Sequence, residues 1–312
     1  MTLTGSSSGS TLTDGSGNYS FTSLLSGGNY TVTPSKAPLA AGSAGITIVD
    51  VVAAQRQALN LGAPLTGCRL TAADVNNNSS VDTVDVIAIQ RFSLGLTTGI
   101  GNTGKYNFTP ANRTYSAIVT NQNGQNYNTL IYGDVASGFV HRPENGPSPD
   151  SVAEETKSDD VGVKIEAVVL PNGNVGSRVT NFIAPVTTTL IEAEDNLVGF
   201  QGDFTFDERM VTFLDPPVQE AGLTARGWNV SGNVLPGPGP IRTLRVSAFS
   251  LDFTPLSGAG VLFELRMSRV SMTAPRTQLF LGSPPNHFFF INADLNVRTP
   301  DYAGQGNVTS SK

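Results

Sequence analysis

The chain has 312 residues, a formal charge of −6, 39% hydrophobic residues and only 14% charged ones, against about 25% charged in an average soluble protein. That length holds two or three domains, and the polar surface has to come from Ser, Thr, Asn, Gln and Gly, which suit short strands and turns better than long helices. The absence of a basic stripe argues against nucleic acid as a partner, and no apolar run of about 18 residues is present to span a membrane. The one cysteine, Cys68, allows no internal disulfide and reads as a small buried hydrophobe.

Residues 1–36 begin inside strand-like sequence with no visible secretion signal, so the chain is expected to start within a domain. The turn cluster Asp14-Gly15-Ser16-Gly17-Asn18 is followed by Tyr19-Ser20-Phe21 and then by Gly27-Gly28-Asn29-Tyr30-Thr31-Val32, which predicts short antiparallel strands. Residues 46–59 and 82–95 differ in kind, with apolar residues spaced as on a helix face. Strand patterning returns over 104–132 at Tyr106, Phe108, Tyr115, Ile118, Tyr127, Leu130 and Ile131. Residues 142–160 are Pro-rich and acidic and read as a linker. Beyond them, strand-length runs at Val161–Leu170, Leu197–Phe206, Ile241–Phe249 and Val261–Met267 predict a β-sandwich.

The helical stretch is a duplication. Asp50-Val51-Val52-Ala53-Ala54-Gln55-Arg56 recurs 35 residues later as Asp85-Val86-Ile87-Ala88-Ile89-Gln90-Arg91. The second copy is preceded by a loop whose oxygen-bearing residues Asp74, Asn76, Asn78, Ser80, Asp82 and Asp85 fall at the spacing of a twelve-residue calcium loop. Calcium is a hard cation that takes six to eight oxygen ligands. Ser79 stands where glycine is usual and Asn78 where an acid is usual, so binding is expected at roughly 10⁻⁴ to 10⁻⁶ M. The first copy has Leu39, Ala41 and Ser43 at the matching positions, which predicts one Ca²⁺ site and not two.

Two helices related by duplication, each preceded by such a loop, resemble a type I dockerin over about residues 37–97. That resemblance implies a protein partner of cohesin type, contacted through Ile48, Val49, Gln55 and Arg56 in one copy and Thr83, Val84, Gln90 and Arg91 in the other. The flanking segments, Gly5–Pro34 and 106–132, resemble a carboxypeptidase-regulatory or Cna-B type of small β-sandwich without its first strand. An edge left unpaired in this way could accept a strand from another chain. Residues 161–298 are similar to a cohesin at Gly199–Asp207, Leu244–Phe249 and Gly258–Leu265.

The expected fold is therefore mainly β. It has a small Cna-B-like sandwich (1–36 and 104–141), an inserted two-helix dockerin-like unit with a calcium loop (37–103), a linker (142–160) and a cohesin-like sandwich of jelly-roll type (161–312). No nucleophile elbow, phosphate loop or dinucleotide fingerprint is present. His141 and His287 lack partners at metal-ligand spacing, and Glu192, Glu194 and Asp195 read as a solvated turn. The function these features imply is non-catalytic assembly at the cell surface or outside the cell, through cohesin–dockerin or self-association, with head-to-tail filaments as one form. The alternatives are a polysaccharide-binding accessory module and a piece of a larger adhesin. One tryptophan, Trp228, and no tyrosine between 133 and 301 leave little for a sugar-stacking platform.

Overall fold

The computed structural model describes residues 1–136, 181–270, 280–281 and 288–298. The expected linker at 142–160, the expected strand at Val161–Leu170, His141 and His287 lie outside the described residues.

The N-terminal β unit comprises β1 (Thr2–Gly5), β2 (Gly9–Ser10), β3 (Gly28–Thr33), β4 (Tyr106–Thr109), β5 (Arg113–Ile118) and β6 (Asn128–Ile131). One antiparallel sheet has the order β2-β1-β3-β5, and β4 pairs with β6. Leu3 faces Val32 and Tyr30 faces Tyr115 in register, so β3 and β5 pair across the whole intervening helical stretch. Tyr19-Ser20-Phe21, expected as a strand, has no ladder partner. The Tyr19 hydroxyl instead donates to the Gln125 carbonyl at 2.7 Å, and its ring packs with Phe21 and Tyr127 over Leu3, Tyr30 and Val32.

The helical unit carries α1 (Ile48–Ala58), α2 (Gly67–Ala73) and α3 (Thr83–Ser93). The short α2 is a third helix where the sequence predicts two, and it carries Cys68, which is exposed and not buried as expected. The first turn of a short helix with no side-chain cap leaves that thiol in solvent. The repeat is reproduced in detail at both ends of α1 and α3. Thr47 and Asp50 form a capping box at the start of α1, and Asp82 and Asp85 form one at the start of α3. The helices leave through left-handed Asn60 (φ 56°) and Gly95 (φ 78°), with the Leu61 and Leu96 amides bonded back to the Arg56 and Arg91 carbonyls.

β-branched Ile48, Val49, Val51 and Val52 are poor helix formers, yet residues 48–55 of α1 are all buried. A helix apolar on every side has to be covered on every side. In α1 one face packs on α3 and another on the C-terminal sandwich, through β8, β11 and β14.

That sandwich has two sheets. One contains β8 (Leu197–Asp207), β10 (Trp228–Leu235), β11 (Ile241–Ser250), β14 (Phe288–Asn292) and β15 (Val297–Arg298), in the order β10-β11-β8-β14-β15, with β13 (Phe280–Leu281) also pairing β8. The other contains β7 (Asn181–Ile191), β9 (Val211–Glu220) and β12 (Gly258–Arg269), in the order β7-β12-β9. Their inner faces share one core in which Phe200 packs on Trp228, Phe263, Phe288 and Phe290 at ring-centroid distances of 5.6 to 6.0 Å. Such pairs add about 1 kcal/mol each beyond area burial.

Candidate metal loop and docking interface

In the loop before α3 the oxygen-bearing side chains turn inward on the loop's own backbone. Asp74 accepts from the Asn78 and Ser79 amides at 3.1 and 2.8 Å, and Asn76 Oδ1 accepts from the Asn78 amide at 2.9 Å. Asn78 Oδ1 accepts from the Ser80 amide and hydroxyl at 2.9 and 2.8 Å. Asp82 accepts from the Val84 amide at 2.7 Å, while Asp85 accepts from the Asn76 and Asp82 amides at 3.1 and 3.0 Å. Val75, fully buried, and Val81 tie the loop to the helical core.

Burial pushes the Asp85 carboxyl above its ordinary range; its backbone hydrogen bonds oppose this, and the Asp82 and Asp74 carboxylates add to it. Three carboxylates and two amide oxygens thus share one small loop, a donor set composed of hard oxygens that suits calcium or a similar cation. Among the described residues no group of three His, Cys, Asp or Glu side chains is gathered at metal-binding range.

The first copy differs. Leu39 and Ala41 are packed into the helical core. Asp50, which matches Asp85, is fully buried and accepts from the Thr47 amide at 2.9 Å and from the Val135 and Ala136 amides at 2.7 and 3.0 Å. Backbone donors from beyond β6 thus sit on the carboxylate that would otherwise close a cation loop.

The second feature of the site is the outer face of the β8 sheet. Along β8, even-numbered Phe200, Phe204 and Phe206 enter the sandwich core, so Gly199, Gln201 and Asp203 point to the other face. Strand register arranges that face in three rows: Asn233, Arg245 and Asp203; then Ser231, Ser247, Gln201 and Phe289; then Asn229, Phe249, Gly199 and Ile291. The helical unit lies on these rows.

Arg245 is held by Asp203 through two 2.8 Å contacts and donates to the carbonyls of Gly42 and Ser93 at 2.9 and 3.1 Å. Asn233 donates to the Leu94 carbonyl at 2.9 Å. Gln201 Oε1 accepts from the Ile48 amide at 3.3 Å. The sandwich therefore satisfies an orphan donor at the start of α1 and orphan acceptors at the end of α3. A cation at a helix C-terminus is also favoured by the macrodipole.

Two matching glutamines complete the contact. Gln55 donates to the Leu251 carbonyl at 2.8 Å, and Gln90 donates to Asn229 Oδ1 at 2.9 Å and to the Ser247 carbonyl at 3.2 Å. Val198, Phe249 and Ile291 of the sandwich belong to the same buried cluster as Ile48, Val51 and Val52. Gly199 makes room for this: a Cβ there would stand 2.9 Å from Val52 Cγ2.

Of the residues the sequence marks as partner-facing, Ile48, Gln55 and Gln90 are bonded to the sandwich of their own chain. Val49 is buried in the helical core, whereas Thr83 and Val84 are exposed. Arg91 folds back on the Thr98 carbonyl and hydroxyl at 2.7 and 3.0 Å, and Arg56 lies against Gly62. Sequence reasoning missed Gly199, Gln201, Asn229, Asn233, Asp203 and Arg245. The alternation in Gly199-Phe200-Gln201-Gly202-Asp203-Phe204 shows which side chains leave the core, but not what covers them. Glu192 and the short 3₁₀ turn Ala193–Asp195 hold the acidic cluster in solvent.

No family model and no curated protein matches the chain. Among solved structures it is similar to the sixth cohesin of Acetivibrio cellulolyticus scaffoldin B, solved in complex with a Cel5 dockerin mutant, at 14% identity over 46% of this chain and 94% of that one, TM-score 0.34. It is also similar to a chain of the type I OlpA cohesin–dockerin complex from Clostridium thermocellum, at 15% identity over 45% and 92%, TM-score 0.34. A non-cellulosomal cohesin from Archaeoglobus fulgidus matches at 14% identity over 45% and 84%, TM-score 0.30.

Proposed function

We propose that this chain is a non-catalytic structural interaction protein, in which a calcium-dependent, dockerin-like helical unit is seated on a cohesin-like sandwich of the same chain. One observation carries the reading: the three rows on the outer face of the β8 sheet cap the start of α1 and the end of α3 and take Gln90, while Gln55, its counterpart in the other repeat, bonds the Leu251 carbonyl just after β11. Specific recognition of a helix pair by a sheet needs helix-end partners of this kind, because a flat apolar contact would fix neither register nor orientation.

The residues that would hold calcium are Asp74, Asn76, Asn78, Asp82 and Asp85, with Ser80 supplying a backbone oxygen. The ion would supply charge neutralisation for three acids in one loop and rigidity at the start of α3. The function would lie at the cell surface or outside the cell, where a site of this weak class would be filled. Exchange of the same two surfaces between copies would join chains head to tail, and the closed form keeps them engaged within one chain. A sugar-binding reading finds no support in the docking face, whose aromatic side chains Phe249 and Phe289 pack with the helical core, with Trp228 packed inward on Phe200.

The test is calcium titration of the full chain by calorimetry, with thermal unfolding and size-exclusion in calcium and in chelator. Single-site binding and a calcium-dependent rise in Tm are expected. No heat of binding at millimolar calcium, with unchanged Tm, would overturn the calcium part of the reading. Small-angle scattering tests the docking part: a wild-type chain no more compact than a variant with Arg245 removed would overturn it.

A further inference from the structure

The N-terminal β unit has little core of its own. Its core cluster is built on three buried residues, Leu3, Tyr30 and Val32, ringed by partly buried ones. Among the described residues the sheet β2-β1-β3-β5 shares no ladder with the β4–β6 pair. Units with so small a core are commonly stapled by disulfides or a metal, but the chain's one cysteine, Cys68, lies away in α2. Tyrosine is abundant instead: of the seven in the chain, only Tyr302 lies outside this unit and its immediate flank.

Tyr19 and Tyr127 are the two tyrosines among the described residues whose rings meet, with centroids 6.3 Å apart and planes tilted by 47°. Their hydroxyls are held from outside the pair: Tyr19 donates to the Gln125 carbonyl at 2.7 Å, and Tyr127 to the Val32 carbonyl at 2.8 Å. Each hydroxyl also alters the other's acidity, so the two oxygens, and the Cε carbons beside them, are neighbours. The Arg113 guanidinium stands 5.5 Å from the centre of the Tyr127 ring, where a cation favours loss of the phenol proton. Both rings are half-buried, so packing holds them while water still reaches them. The segments that carry them, 11–27 and 119–127, have no ladder partner. The second leads directly into β6.

We propose that Tyr19 and Tyr127 form an oxidative cross-linking site, joined as a dityrosine by a haem peroxidase with hydrogen peroxide, which staples the segment between β2 and β3 to the one entering β6. Each phenol gives up one electron and one proton, and the two phenoxyl radicals couple through their Cε carbons. One carbon–carbon bond forms, and the ring hydrogens at those carbons move to the oxygens as the rings regain aromaticity. The electrons and phenol protons reduce one hydrogen peroxide to two waters, and the chain loses two hydrogens. The staple acts where the unit's core is weakest, and it is independent of the calcium loop.

The test is treatment of the dilute full chain with a haem peroxidase and hydrogen peroxide, followed by intact mass, dityrosine fluorescence and peptide mapping. A monomer lighter by two hydrogens is expected, with its link between the peptides containing Tyr19 and Tyr127. The link should be lost in Tyr127→Phe and in Tyr19→Phe, which keep the ring packing, and retained in Tyr115→Phe. Against Tyr127→Phe treated alike, so that oxidation elsewhere is shared, the linked chain is expected to gain about 5 °C in Tm, because the cross-link constrains the unfolded chain. No cross-linked monomer, a link at other tyrosines, or coupling only between chains would overturn the site. A Tyr19–Tyr127 link that leaves Tm unchanged would overturn the staple.

Discussion

Ser79 stands at φ 72° at the sharp turn of the loop, a conformation that costs an L-residue about 1–2 kcal/mol and glycine almost nothing. Ser79→Gly is therefore expected to stabilise the chain by about 1 kcal/mol and to tighten calcium binding, as read by thermal unfolding and calorimetry. Arg245 and Asp203 are each about 15% exposed as side chains, at 15% and 16%. Arg245→Ala would leave Asp203 nearly buried and unpaired, and would free the Ser93 carbonyl. The expected loss is about 3 kcal/mol, with release of the helical unit from the β8 sheet visible as an increased radius of gyration. An unchanged radius would count against docking of the helical unit on the β8 sheet. At this scale the spacing of the loop acids and the repeated glutamines could be read in the sequence, because both are local patterns. Arg245 was not, since its partners at Gly42 and Ser93 are brought to it only by folding.

The helices show local and tertiary terms pulling in opposite directions. Caps at Thr47 and Asp82 mark where α1 and α3 begin, and the period of apolar residues marks their length. The β-branched run in α1 opposes helix formation, and burial on all sides outweighs it. Gly199 is the place to separate docking from strand stability. Valine suits a strand better than glycine, so Gly199→Val would favour β8 locally while pushing on Val52 of α1. The expected outcome is a folded sandwich with α1 displaced, seen as faster hydrogen exchange in 48–58 and little change in β8 and β11; a docked α1 with native exchange would show that the fit there is loose. In the N-terminal β unit, burial pushes the Tyr127 hydroxyl up to about 12, with Tyr19 and Tyr115 adding to it. Since the folded value lies above the unfolded one of about 10, its contribution is complete below pH 10 and is lost as pH rises toward 12. Chemical unfolding followed at increasing alkalinity should show this unit weakening first, and Tyr127→Phe should reduce that pH dependence, leaving the part due to Tyr19 and Tyr115, whose hydroxyls burial also pushes up.

For the whole molecule, the helical unit is held between two β units, through the β4–β6 pair and the segment after it on one side and the β8 sheet on the other. Calcium that binds only the folded loop stabilises by mass action, by about 2.7 kcal/mol at a hundredfold excess over Kd. Tm is accordingly expected to climb with calcium concentration and to stop climbing in Asp74→Ala. A Tm in that variant that still rises with calcium would place the ion elsewhere.

The sequence by itself determined the mainly β character, the helical interruption, the duplication and the strand periodicity of the C-terminal sandwich, because each is written in neighbours a few positions apart. Only the tertiary structure decided what lies on the outer face of β8, which half of the repeat is buried and what sits on Asp50. Those contacts join residues 85 to more than 200 positions apart, and period-two alternation names a face without naming its cover.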